Sequence, residues 1–326
     1  MDEPLRLDPD PDELNGDAEL TIEEKRRYAR RCRQGLFFKV PAHLPTASLF
    51  VHHDRPLFRQ LLKREPGASP GRHYTNLALH QLVMRYCPGQ AEILDVGCGA
   101  GGFVQRVEAC GIAGRYLGVD VLERSNWQWL EQRPGPAVHA RFLVQPAERM
   151  TFDQQFDFVI CSHSLEHQRF PSESLVRIHA ALKPGAYGVL FVPAPWAYLL
   201  YGQHGWRYFQ PAHLETLCRQ AGLQIETFYP IGGLFSFLVH WVCIAWLESG
   251  VAYQVLTGQY LHWRIQRILD GLRFRSLRKN RYSVACYAFL NRLLMPLDVL
   301  VSRPSHLYAL VVRRPEASAD VYGSSR

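Results

Sequence analysis

The sharpest chemical signal in the chain is the run Ile93-Leu94-Asp95-Val96-Gly97-Cys98-Gly99-Ala100-Gly101-Gly102. An apolar stretch that breaks into glycines ahead of a helix is where an open α/β sheet meets its ligand. Glycine permits both close backbone approach and φ > 0 at such a turn. Asp120 follows 18 residues after Gly102, at the end of the next apolar stretch. A carboxylate placed there accepts hydrogen bonds from both hydroxyls of a ribose. Gly97, Gly99 and Gly102 also satisfy G-x-G-x-x-G, a dinucleotide pattern of little weight alone. Asp95 argues against a pyrophosphate at this turn, because its charge repels an anion and suits a cationic ligand. A helix N-terminus, which favours anions, offers such a ligand less than carbonyls and carboxylates do.

The elements that must position these residues alternate. Strands are predicted over 93–96, 116–119, 141–144, 156–161 and 187–192. Helices are predicted over 102–110, 122–130 and 174–182, the last stopped by Lys183-Pro184-Gly185. A helix over 212–221 and a strand over 224–229 continue the series, and a final strand at 308–312 comes some seventy-five residues later. This order implies a doubly wound α/β fold, its parallel sheet covered on both faces. Ahead of it, residues 74–86 read as a helix, and Thr21-Ile22-Glu23-Glu24 fits a capping box opening a charged helix to about Arg33. The expected organisation is an acidic disordered leader (1–20), an N-terminal helical lid (21–90) and a core (91–230). A helical insertion (231–305), the last core strand (306–313) and a polar tail (314–326) complete it.

Three further segments accompany the glycine loop in order. They are Tyr116-Leu117-Gly118-Val119-Asp120, then Phe156-Asp157-Phe158-Val159-Ile160-Cys161-Ser162-His163-Ser164-Leu165-Glu166-His167, then Leu182-Lys183-Pro184-Gly185. With them the chain resembles the class I S-adenosylmethionine (SAM) dependent methyltransferases, of the type 11/12-like kind, over roughly residues 74–230 and the final strand. The resemblance implies a Rossmann-like methyltransferase sheet and SAM as cofactor. It places the methionine end on the loop of Asp95, Gly97, Cys98, Gly99 and Gly101, the ribose on Asp120 and the adenine against Val121. Cys161, Ser162 and His163 would face the sulfonium. The usual acid-alanine pair that reads the adenine edge is Pro146-Ala147 here, which leaves Glu148 or the backbone of Ala147 for that task.

Methyl transfer is an in-line displacement from an activated donor, so the protein must align the partners and exclude water. A hydroxyl acceptor must also lose its proton, and histidine suits that work near neutral pH. The candidates are His163, the Glu166-His167 pair, which the resemblance also assigns a structural hydrogen-bonding role, and His204. His204 lies in a loop, 202–211, that resembles the acceptor-side segment of quinone-biosynthesis O-methyltransferases. Trp196, Tyr198, Trp206 and Tyr208 are expected to wall an apolar acceptor. The favoured activity is O-methylation of a small apolar or lipid-linked molecule. An NAD-type oxidoreductase using the same loop, and a non-catalytic SAM-binding partner subunit, stay open on these residues alone.

Composition narrows the remainder. At 47% hydrophobic and 21% charged residues, the 326-residue chain is neither disordered throughout nor fibrous. Residues 1–24 hold ten acids against one base, net −9, which leaves the rest of a +7 chain at +16 and points to an anionic partner. The eight cysteines form no C-x-x-C pair and no metal-ligand spacing, in keeping with a reducing, cytoplasmic setting. His52-His53-Asp54 is a poor metal site, since neighbours on an extended strand point to opposite faces. The N-terminus shows no secretory pattern.

Residues 234–247 are apolar on nearly every side, but as a helix they reach ~21 Å against a ~30 Å hydrocarbon core. Between Arg264 and Arg281 seven bases face one acid, Asp270, with apolar residues interleaved. The expected partner of 234–281 is an anionic membrane surface, with the protein peripheral at the inner face. A cap over the site or an oligomer interface are the other readings, and no nucleic-acid recognition signature is present.

Overall fold

In the computed structural model the described residues are Arg30, 39–48, 70–168, 170–201, 205, 207–241, 289–290, 293–301 and 303–316. Helix α1 (Pro70–Tyr86) leads into β1 (Gln90–Val96), α2 (Val104–Ala109), β2 (Ala113–Asp120), α3 (Asn126–Gln132) and β3 (Val138–Val144). Then come β4 (Phe156–Ser162), α4 (Pro171–Ala181), β5 (Leu182–Pro193), α5 (Tyr198–Tyr201), α6 (Pro211–Gln220), β6 (Gln224–Ile231), α7 (Leu234–His240) and β7 (Leu307–Arg313). Short 3-10 turns occupy Ala147–Arg149, Leu165–His167, Pro195–Ala197 and Met295–Val299.

The seven strands form one sheet in the order β3-β2-β1-β4-β5-β7-β6. Strands β1 to β5 pair in parallel, and β7 runs antiparallel to both β5 and β6. The order reverses direction between β2-β1 and β4, the switch point at which an α/β sheet opens a crevice at its strand ends. The predicted doubly wound fold is therefore present, with one antiparallel strand added. That strand wedges between β5 and β6 and is buried from Leu307 to Val312, so the end of the chain completes the core.

Alternation along the strands feeds two apolar layers. Ile93 and Phe158 point to one face, packing with Leu79, Leu82, Val107 and Leu130 from α1 to α3. Leu94 and Val159 point to the other, with Leu175, Ile178, Leu214 and Cys218 from α4 and α6. Residues 45–47 hydrogen-bond to Phe228 on the β6 edge.

Two boundaries differ from expectation in ways that matter. Helix α3 starts at Asn126, not at 122, so Val121, Leu122 and Arg124 are left to line a cleft. Helix α4 stops at Ala181, and β5 pairs with β4 at Leu182 before resuming at Tyr187. Between them Gly185 takes φ +77° and donates to Arg314 O. The leader, the helix expected over 21–33 apart from Arg30, His52-His53-Asp54 and the basic stretch 264–281 lie outside the described residues. Of the apolar run 234–247, residues 234–241 are described, as α7 and the residue after it.

Candidate active site

A cleft of about 770 Å³ opens at the ends of β1, β2 and β4. Its floor is the glycine loop. Gly97 N and Cys98 N both donate to Val119 O, which turns the chain off β1 beside the end of β2. Gly97 has φ +73°, and a Cβ there would lie 2.2 Å from Ser164 Oγ, so no other residue fits without displacing that serine. Asp120 then knits the loop to β2. Its Oδ2 accepts from Gly99 N at 2.8 Å and its Oδ1 from Leu122 N at 3.2 Å. From α3, Trp127 Nε1 donates to Gly99 O at 2.8 Å and Asn126 Nδ2 to Ala100 O at 3.0 Å. The Trp127 ring stacks on Phe142, which seats the indole for that bond.

Asp95 lies beneath the loop, fully buried, with Tyr116 OH donating to its Oδ2. Burial pushes its carboxyl up to about 7, the Tyr116 hydrogen bond opposing and the charge of Asp120 adding to the rise. Its Oδ1 has no hydrogen-bond partner among the described residues. Such an orphan normally costs about 1–3 kcal/mol. Asp95 is thus buried beneath the loop and does not line the cleft.

On one side, Val121 and Leu122 leave apolar side chains 37% and 52% exposed in the cleft wall, a surface suited to a flat ring. Ala147 and Glu148 follow on the turn after β3, and burial raises the Glu148 carboxyl. The opposite wall is polar. It holds Arg72 and Asn76 from α1, and Ser162, His163, Ser164, His167 and Gln168 after β4.

His163 adopts φ +53°, unusual for a residue with a Cβ, and its amide donates to Phe191 O. Strain of this kind survives where the surroundings hold it, as they do here on three sides. The ring contacts Thr75 Oγ1 through Nε2 at 2.9 Å and Glu166 Oε1 through Nδ1 at 3.4 Å. Glu166 is fully buried. Burial pushes its carboxyl up, but hydrogen bonding and charge from His163, with His167 adding, outweigh that and hold it below the usual range.

Of the residues singled out from sequence, the cleft is lined by Gly97, Cys98, Gly99, Asp120, Val121, Ala147, Glu148, Ser162, His163 and His167. Three others sit elsewhere. Cys161 is fully buried in the apolar layer under β4, because alternation turns it from the cleft when Ser162 faces it. Gly101 packs against the interior, where a Cβ would lie 2.6 Å from Leu130 and 2.7 Å from Phe142. Asp95 lies below the loop, as above. Gly102, the third glycine of the dinucleotide pattern, has open space around its Cβ position, so the loop is built on Gly97, Gly99 and Gly101 instead.

His204 and Trp206 lie outside the described residues. Of the expected aromatic wall, the described Trp196, Tyr198 and Tyr208 do not line the cleft. Tyr198 is buried edge-on to Tyr208, and Trp196 packs edge-on to Phe237. Sequence reasoning missed Thr75, Asn76, Asn126, Trp127 and Gln168. Nothing in their spacing marks them, since each meets the site only through the fold.

The cleft suits SAM on its own chemistry: a carboxylate at the end of β2, an apolar ring wall, and a buried acid with an orphaned oxygen beneath a glycine turn. Comparison with known proteins agrees. Residues 71–227 match the methyltransferase domain family. A ubiquinone biosynthesis O-methyltransferase of Xanthomonas axonopodis pv. citri is 29% identical over 170 residues, covering 45% of this chain and 69% of that protein. One of the same name from Pseudomonas putida is 28% identical over 183 residues, covering 50% and 77%. The chain is also similar to the solved structure of Burkholderia thailandensis 1,6-didemethyltoxoflavin-N1-methyltransferase, with 17% identity, 86% and 99% coverage and a TM-score of 0.41. The matches lend no support to an oxidoreductase or a non-catalytic subunit. Residues 71–227, just under half of the chain, match that family, and with the motif order of the sequence carried on this sheet and cleft they make this region an S-adenosylmethionine-dependent methyltransferase domain.

Proposed function

We propose that the protein O-methylates a small apolar or lipid-linked acceptor, with His163 taking the proton of the acceptor hydroxyl. The observation that carries this reading is the His163–Glu166 pair in the polar wall of the cofactor cleft. A histidine oriented by a buried carboxylate is the arrangement a general base requires. When bound, SAM supplies an activated methyl group. Asp120 holds the ribose diol, Val121 and Leu122 flank the adenine, and Glu148 or the Ala147 backbone reads its edge. The backbone of Gly97, Cys98 and Gly99 holds the methionine end. His163 receives one proton as the acceptor oxygen gains its methyl, and Glu166 stabilises the charge so formed. His167 and His204 are the second and third candidates for the same role.

Relatives named for ubiquinone biosynthesis support an apolar acceptor. Segment 234–281 would bring the site to an anionic membrane surface. Leu238 in its described part is exposed, as are Phe289, Leu293, Leu300 and Val301 later in the insertion, in keeping with such a surface. No helix among the described residues is long and apolar enough to cross a membrane, so the contact would be peripheral.

The test is to incubate the protein with methyl-labelled SAM and a whole-cell extract, then partition the products. Protein-dependent label in the organic phase is the expected result. Label confined to the aqueous phase would overturn the lipid-like acceptor and recast the insertion as a cap or interface. A His163→Gln variant that transfers label at the parent rate would remove His163 as base.

A further inference from the structure

Thr75, on the first turns of α1, is fully buried, and its hydroxyl makes two contacts of 2.9 Å. One runs to Gly71 O, four residues earlier in the same helix, and the other to His163 Nε2. A threonine hydroxyl has a single proton. The carbonyl of Gly71 can only accept, so that proton goes to Gly71 O and the Thr75 oxygen accepts from an N–H at Nε2. Across the ring, Nδ1 faces the Glu166 carboxylate, which is ionised and also can only accept. The Nδ1 contact is a close approach of 3.4 Å and not a hydrogen bond, since neither Glu166 oxygen has a hydrogen-bond partner among the described residues.

His306, which precedes β7, is buried and has no hydrogen-bond partner among the described residues at either ring nitrogen. Burial and the charge of His163 push it down to about 4, so it stays neutral. Among the described residues, Arg72 of α1 in the cleft wall, His167 beyond Glu166, and Cys161, whose buried thiol the Glu166 charge helps to push up, also stand on this side.

We infer that Thr75 is a positioning residue for methyl transfer, holding His163 from the Nε2 side while Glu166 holds it from Nδ1. The inference rests on the reading of His163 as the base. A ring in this clamp takes an acceptor's proton only in its neutral form and only as the Thr75 contact at Nε2 gives way, so transfer rises with pH along an acid limb that the clamp sets. Helix α1 is itself fixed one residue earlier, where Tyr74 OH donates to Asp298 Oδ2 at 2.7 Å and approaches Met295 O at 3.0 Å. The position of the clamp is thereby tied to the far end of the insertion.

The experiment compares the full-length protein with Thr75→Val and Thr75→Ser by histidine-labelled NMR, with the His163 resonances assigned by loss in His163→Gln. Thr75→Val removes the acceptor at Nε2, and the His163 titration midpoint is expected to fall by about one pH unit, the scale of one hydrogen bond to a charged group. Thr75→Ser, which keeps the hydroxyl, is expected to restore it. In the labelled-methyl assay with lipid extract, the acid limb should move to lower pH in parallel and the maximal rate should fall.

A midpoint unmoved in folded Thr75→Val overturns the clamp whatever the base is. A midpoint that moves while the acid limb does not leaves the clamp standing and removes His163 as base. Should Thr75→Val fail to fold, Glu166→Gln tests the other jaw: the same downward shift is expected, and none overturns the arrangement.

Discussion

The glycine loop and the first turns of α1 line the same cleft but are held by residues at very different distances along the chain. Asp120, Asn126 and Trp127 lie 21 to 28 residues from the loop atoms they bind. Thr75 meets its partner His163 across 88 residues, and Tyr74 meets Asp298 across 224. Closing a loop costs more entropy the longer it is, so the loop side can assemble within β1-α2-β2-α3. The α1 side waits for β4, and then for the chain beyond the insertion. Cofactor recognition thus rests on a local unit, whereas the acceptor wall rests on completion of the sheet.

The largest effect that could break this contrast is at Asp120. Asp120→Ala removes the proposed ribose acceptor together with the Gly99 and Leu122 bonds that shape the loop. Charge-assisted bonds of ~1.5–3 kcal/mol each imply a loss of SAM affinity of about a hundredfold or more. Calorimetry reads this directly, and unchanged affinity would remove the assignment.

Asp298 is the corresponding point on the distant side. Its Oδ1 accepts from Phe235 N and Ser236 N at the start of α7, while its Oδ2 accepts from Tyr74. Asp298→Ala should destabilise the protein by about 2–4 kcal/mol in urea unfolding, since three buried bonds lose their acceptor. SAM affinity of the folded variant should change little. Equal loss of both would show that the two sides are one cooperative unit.

A smaller effect sharpens the loop side. The folded protein raises Asp95 from 3.8 to about 7, so it binds a proton there that the unfolded chain has released. This contribution to stability is therefore complete below about pH 4 and is lost as pH rises through 7. Asp95→Asn should flatten that part of the profile. The difference in melting temperature between the two proteins, followed from pH 4 to pH 8, measures it. A difference that grows in the opposite sense would exclude a protonated Asp95.

The smallest effect belongs at the surface. Arg115 pairs with Glu92 at 2.7 Å, but its side chain is 75% exposed. Arg115→Ala should shift stability by no more than about 0.5 kcal/mol, measured by the same urea titration. A larger change would mean that this pair supports the β1–β2 register.

The contrast also separates what could be read in advance from what could not. The turn after β1, the acid ending β2 and the strand-helix alternation are all visible as spacing, because each depends on neighbours in sequence. Boundaries slipped where local propensity yielded to the site, as at α3, whose first turn is given up so that Val121 and Leu122 can line the cleft. The order of β7 between β5 and β6 has no sequence marker beyond its apolar run.

Strand periodicity carried information that a motif reading overrode at Cys161. Adjacent residues of β4 must face opposite sides, so Ser162 and Cys161 cannot both line the cleft. The aromatic residues Tyr198 and Tyr208 were read as a pocket wall, but burial of large rings against each other was the stronger demand.

Local spacing alone was therefore enough for the fold class, the glycine turn and Asp120, because turns and alternation are short-range properties of the backbone. Which histidine is clamped, and by what, came only from the folded chain. Glu166 and His163 share a segment, but Thr75 shares no period or motif with them, and its hydrogen bond to His163 exists because the sheet brings α1 over the end of β4.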